Sequence, residues 1–178
     1  PDGLVTGVQT CALPIYLESE QAALDAATTK NAPDEYGYLA EHLAAGKAQH
    51  TGDLPQPCLV IAADTLVLSD RGILGKPENE AQAETMLNEL SGTWHQVITG
   101  LALFAVANGQ SRLWTAHERT QVRFGHITPA QIRWYIQTGE PLDKAGAYGI
   151  QGCGSVFIET INGCYYNVMG LPVNSLMT

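Results

Sequence analysis

A chain of 178 residues has the size of one ordinary domain and can bury a substantial core. Its 9 basic and 18 acidic side chains leave a formal charge of −9, which repels polyanions and excludes a nonspecific nucleic-acid binder. Apolar residues make up 45% of the chain, but no apolar run approaches the roughly 20 residues that cross a bilayer, and no secretory leader pattern is present. A soluble, cytoplasmic protein with no membrane partner is expected.

In chain order, "DEYGYLAEHLAAGKAQH" predicts a helix that starts near Pro33 or Asp34 and puts Tyr36, Leu39, Ala40 and Leu43 on one face. After the break "TGDLPQP", the β-branched run "CLVIAAD" predicts a buried strand ending at Asp64. "TLVLSDRGILGKP" comes next as a hairpin that turns at Asp70-Arg71-Gly72 and stops at Pro77. In "NEAQAETMLNELSG", Asn79 caps a helix, Ala83, Met86, Leu87 and Leu90 share a face, and Gly92 ends it.

Residues 95–124 form two apolar arms around Asn108-Gly109, a strong hairpin signal. "TPAQIRWYIQTG" carries Thr128 as cap, Pro129 at the first helical position, Gln131 closing a capping box and Gly139 as stop. "SVFIETINGCYYNVMG" reads as strand, Asn162-Gly163 turn and strand. Helices interspersed with hairpins imply an α/β fold with a mixed, partly antiparallel sheet.

Four cysteines without a C-x-x-C pair imply reduced thiols, and five scattered histidines show no metal-ligand spacing. Chemistry is therefore sought where polar residues meet glycines at strand ends. In "AADT", Asp64 is either a turn-former or a carboxylate that binds a divalent metal or draws a proton from water, with Thr65 beside it. In "GKP", Lys76 is either a solvated lysine or an ammonium held against a phosphate. "PLDKAGAYGIQGCG" sets Asp143, Lys144 and Gln151 among glycines that allow close backbone approach to a ligand, or merely a tight turn. It matches neither the P-loop nor the dinucleotide fingerprint. No Ser-His-Asp or Cys-His arrangement supports a covalent nucleophile.

Taken together, "AADTLVLSDRGILGKPENEAQAETMLNELSGTWHQVITGLAL", "TQVRF", "GEPLDKAGAYGIQG" and "YNVMGLPV" resemble the Maf nucleotide pyrophosphatases in order and spacing, over roughly residues 34–173. The resemblance implies an elongated mixed sheet flanked by helices, similar to inosine triphosphate pyrophosphatases, and a nucleotide cleft. It implies hydrolysis of nucleoside triphosphates to the monophosphate and pyrophosphate with Mg²⁺ or Mn²⁺, usually by a homodimer. Asp64 then matches the general base and a metal ligand, and Thr65 its neighbour; Lys76 matches the phosphate-binding lysine of "GKP". Lys47 takes the lysine place of the family's "AREKA" helix, and Gln151 the glutamine of "IQG". "DKAGAYGIQG" is similar to the branch acting on dTTP and UTP.

Family chains begin with a strand and an S-x-S-P-R-R loop whose serines and arginines meet the phosphates. Here "VTGVQTCALPI" stands instead, and it reads as the translation of a common sequencing adapter. Residues 1–15 are accordingly expected to be artefactual, and residues 16–178 a single Maf-like domain without its native N-terminal strand and loop. Such a chain should turn over poorly, since each charge-assisted hydrogen bond from a lost arginine is worth about 1.5–3 kcal/mol. Asp25, with Glu20 as the alternative, is the nearest candidate for the family's acidic metal-binding position. Two other readings remain open: a catalytically dead nucleotide-binding or protein-interaction module, and a pyrophosphatase for a modified purine nucleotide.

Overall fold

The computed structural model describes residues 34–52, 54 and 56–178. Helix α1 (Glu35–Gln49) is succeeded by strand β1 (Cys58–Ser69), strand β2 (Gly72–Leu74), helix α2 (Glu80–Leu90), the long strands β3 (Trp94–Ala107) and β4 (Gln110–Phe124), and helix α3 (Pro129–Gln137). Three short 3-10 turns, Glu140–Asp143, Ala145–Ala147 and Cys153–Phe157, lead to strand β5 (Ile158–Asn162) and the short helices α4 (Tyr165–Val168) and α5 (Val173–Leu176). The protein is an α/β fold built on an elongated sheet flanked by helices. The five described strands run in the order β2-β1-β3-β4-β5, and each neighbouring pair is antiparallel.

Local chemistry accounts for most of these elements. Asp34 caps α1 by accepting from the Gly37 amide, and Asn79 caps α2 by accepting from that of Gln82. Helix α3 has the predicted capping box between Thr128 and Gln131, with proline in its first turn. The β3–β4 turn falls on Asn108-Gly109, whose φ values of 53° and 72° suit the twist of a two-residue hairpin.

The sheet buries both faces. Leu39, Ala40 and Leu43 of α1 pack on Leu66, Leu68 and Ile98. The opposite face places Val67, Val97, Val122 and Phe124 against Ala83, Leu87 and Leu90 of α2 and Ile132 and Tyr135 of α3. Each fully buried Leu or Ile contributes roughly 1.5–3 kcal/mol. Gly100, in the middle of β3, allows α1 to lie so close that an added Cβ would overlap the Ala40 carbonyl. Directly opposite Gly100 on the neighbouring strand, His117 of β4 sits between the carboxylates of Asp34 (2.8 Å) and Glu41 (2.6 Å) and ties the start of α1 to the sheet.

Two expectations are corrected. Strand β1 does not end at Asp64 but runs unbroken to Ser69, with Asp64 opposite Gly100 in the middle of the ladder. The hairpin therefore uses only its last residues, Val67 to Ser69, against Gly72–Leu74. Beyond Asn162-Gly163 the chain forms α4 in place of a second strand. There the Thr120 hydroxyl donates to the Cys164 carbonyl (3.1 Å) and accepts from the Cys164 amide (3.0 Å). The fully buried Asn167 donates to Val97 O (2.9 Å) and Thr120 Oγ1 (3.0 Å). These bonds draw the segment across the face of the sheet, so it does not extend the sheet's edge.

Candidate active site

Because β2 pairs only with Val67–Ser69, one edge of β1 from Cys58 to Leu66 meets no strand among the described residues. A cavity of about 600 Å³ opens beside this edge, around Ala63, Asp64 and Thr65. Helix α1 brings Lys47 to it, the stretch after β2 brings Lys76, and the Gly-rich loop after α3 brings Gln151. Five sequence-predicted residues, Lys47, Asp64, Thr65, Lys76 and Gln151, thus line one cavity although they are spread over more than a hundred positions. Asp25, Glu20, the 1–15 segment and the expected domain start at residue 16 lie outside the described residues.

Consecutive residues of a strand point to opposite faces, so Asp64 and Thr65 reach the cavity from the two sides of the sheet. Asp64 lies on the α1 side, where the Lys47 ammonium bonds to its Oδ1. Its side chain is 11% exposed. Burial pushes the Asp64 carboxyl above its usual range, and the positive charges of Lys47 and Lys76 only partly offset this. The result is a carboxylate more basic than a surface aspartate and still paired with a cation, a combination suited to taking a proton from water.

Thr65 is held from the other side. The Thr99 hydroxyl donates to the Asn167 carbonyl at 2.9 Å, so its 2.9 Å contact with Thr65 uses the Thr65 proton. Thr65 therefore offers lone pairs to the cavity. That suits a water, a hydroxyl or a cation better than a phosphate oxygen. Gly170 closes over this hydroxyl with φ of 101°, and a Cβ there would stand 3.3 Å from it.

Asp143 and Lys144, the other polar residues of the Gly-rich motif, also line the cavity and pair with each other at 2.9 Å; much of the remaining wall comes from residues that the sequence did not mark. Tyr148 and Val97 supply apolar surface, and Met169 and Gly170 close one side. Glu140, also on the wall, accepts from the Tyr135 hydroxyl at 2.8 Å and from the Cys153 amide at 2.7 Å. Burial pushes its carboxyl up, but hydrogen bonds from Tyr135, Cys153 and Gly154 outweigh that and leave it below the usual range. The glycines of "GAYGIQGCG" were the available signal for this close packing; the polar residue Asn167 amid "YYNVMG" was a weaker one.

Among the described residues no group of three His, Cys, Asp or Glu side chains could hold a metal ion unaided. Of the cavity's three carboxylates, Glu140 is taken up by Tyr135 and two loop amides and Asp143 is paired with Lys144; Asp64 remains, and it fits the way Mg²⁺ is commonly bound, through one or two carboxylates completed by substrate phosphates and water. Among the described residues Cys58, Cys153 and Cys164 are not paired with one another.

The fold and this set of residues place the chain among proteins of known sequence family. The profile of the family described as Maf-like protein matches residues 10–178. The chain is 49% identical over 141 residues to the dTTP/UTP pyrophosphatase of Symbiobacterium thermophilum, a match covering 79% of this chain and 71% of that protein. It is 52% identical over 123 residues to the dTTP/UTP pyrophosphatase of Clostridium perfringens strain 13, covering 69% of this chain and 63% of that one. A third relative, the dTTP/UTP pyrophosphatase of Syntrophomonas wolfei, is 47% identical over 135 residues, covering 76% and 70%. The chain belongs to the Maf family.

Proposed function

We propose that this protein hydrolyses nucleoside triphosphates, dTTP and UTP foremost, to the monophosphate and pyrophosphate. The observation that carries the reading is the convergence of Asp64, Lys47, Lys76 and Gln151 on one cavity. The activity for which relatives close to 50% identical are named supports the choice of substrate. In this mechanism Asp64 takes the proton of a water that attacks the α-phosphorus, and pyrophosphate leaves. Lys47 keeps the Asp64 carboxylate ionised, while Lys76 offsets triphosphate charge that would otherwise be repelled by a protein of net charge −9. Gln151 orients the nucleotide from the Gly-rich loop. A divalent ion, Mg²⁺ or Mn²⁺, would be held by Asp64 together with the phosphates and would supply further neutralisation of phosphate charge.

The wider setting belongs to the same reading. The protein works in the cytoplasm, as a homodimer, on a free nucleotide and not on nucleic acid. No helix among the described residues is long and apolar enough to cross a membrane. The sequence contains no Ser-x-Ser-Pro-Arg-Arg stretch, and turnover is expected to be weak without one. Pyrophosphate release from dTTP, UTP, 7-methyl-GTP and inosine triphosphate, with Mg²⁺ or Mn²⁺, tests the activity and its substrate range on the chain as it is and on one carrying that stretch. Release from the two pyrimidine nucleotides, stronger in the second protein, is the expected result. No release from any triphosphate by either protein would overturn the reading.

A further inference from the structure

We propose that Glu140 is a positioning residue, whose carboxylate holds the Gly149–Gly154 loop, and with it Gln151, against the wall of the cavity. The functional consequence rests on the pyrophosphatase reading above; the structural claim does not.

Glu140 Oε1 accepts from the Tyr135 hydroxyl at 2.8 Å and from the Gly154 amide at 3.2 Å. Glu140 Oε2 accepts from the Cys153 amide at 2.7 Å. The Tyr135 oxygen in turn accepts from the Gly149 amide at 3.1 Å. Both ends of a six-residue loop are thereby tied to one carboxylate–phenol pair, and Gln151 stands between the ties. Tyr135 is fully buried in the core between α3 and the sheet, so the anchor is rigid. The need for glycine in the loop has the same origin: a Cβ at 152 would overlap the Glu140 carboxylate, and one at 154 would come within 2.5 Å of the Tyr135 hydroxyl.

A carboxylate on the wall of a triphosphate cavity needs a reason, because unshielded it would repel the substrate. Here three donors take up its charge, and hydrogen bonds outweigh burial in keeping it ionised. The same three donors occupy both oxygens, so Glu140 is poorly placed to ligate a metal ion. It acts through the loop.

The variants Glu140→Gln, Gln151→Ala and the two combined form a double-mutant cycle, measured in kcat and KM for dTTP and UTP and in metal half-saturation. A glutamine has the size of the glutamate, but its amide nitrogen would face an N–H donor, so at least one tie is lost. The expected result is a loss in kcat/KM of about tenfold or more for Glu140→Gln, mostly through KM, with a much smaller further loss on the Gln151→Ala background. The metal half-saturation should not change. Fully additive losses, or a raised metal requirement, would overturn the proposal.

Amide hydrogen exchange in the protein without nucleotide gives a readout independent of turnover. Exchange at Gly149, Cys153 and Gly154 should quicken by roughly tenfold or more in Glu140→Gln while the sheet amides stay protected. Unchanged protection at these three would refute the claim even if the protein proves not to be a pyrophosphatase. Should Glu140→Gln fail to fold, Tyr135→Phe tests the same tie at Gly149 alone, where faster exchange of that amide is expected and unchanged exchange refutes it.

Discussion

The Lys47 ammonium, in the last turn of α1, is bonded to the Asp64 carboxylate in the middle of β1. One contact thus joins the helix that packs on the sheet to the strand edge that borders the cavity. It stabilises a charge where burial disfavours it, and in the proposed mechanism it makes the position of α1 a determinant of the chemistry.

Asp64→Asn should abolish function without weakening the fold. The folded-state Asp64 carboxyl titrates above its ordinary value of 3.8. The folded protein therefore binds this proton more tightly than the unfolded chain, and ionisation costs stability as pH rises through the folded value. A neutral amide avoids that cost at pH 7 and can still accept from Lys47. Turnover should fall by about 10²–10⁴-fold, the usual worth of a general base, while the midpoint of thermal unfolding stays the same or rises. Loss of activity together with a lower midpoint would make Asp64 a structural residue.

Gly100→Ala should damage both stability and activity, although residue 100 does not line the cavity. A Cβ at 100 would overlap the Ala40 carbonyl, so α1 must lift away from the sheet and carry Lys47 with it. Forcing one carbon into such a contact costs about 1–3 kcal/mol. The contrasting substitution is Gly46→Ala, one residue before Lys47, where a Cβ meets nothing within 4 Å. There the gain in helix propensity should stabilise the protein by about 0.5–1 kcal/mol. Urea unfolding of the two variants measures both effects, and equal destabilisation would contradict the close packing of α1 on β3.

How far these features could be read in advance depends on how local their causes are. The capping box of Thr128 and Gln131 and the Asn108-Gly109 turn involve neighbours in sequence, and both stand as read. Asn162-Gly163 has the same turn grammar, yet the course of the chain beyond it is decided by the buried Asn167, whose partners Val97 and Thr120 lie 70 and 47 residues away. Asp64 was recognisable as a candidate, but its place was not. An aspartate reads as a strand end because its charge is unsatisfied in a ladder, and here Lys47, 17 residues earlier, satisfies it. Glu140 escaped notice for the same reason: nothing local shows that Tyr135 and the loop amides of Cys153 and Gly154 converge there.

The acid limb of stability should be set in part by His95. Burial among Phe124 and Tyr148 lowers its imidazole to about 4, from 6.5 in an ordinary setting. Between those values the unfolded chain binds more protons than the fold, so stability is complete above about 6.5 and is lost as pH falls towards 4. The difference corresponds to about 3 kcal/mol at most. His95→Gln does not titrate and can keep a hydrogen bond to the Tyr148 hydroxyl, which His95 Nε2 meets at 2.8 Å. Urea unfolding at pH 7.5 and pH 4.5 should then show the wild type losing about 2–3 kcal/mol more than His95→Gln over that interval. Tyr148 lines the cavity, so turnover of the wild type should also fall off in acid at higher pH than that of the variant. Equal losses of stability in the two proteins would show that His95 is not held neutral by its burial.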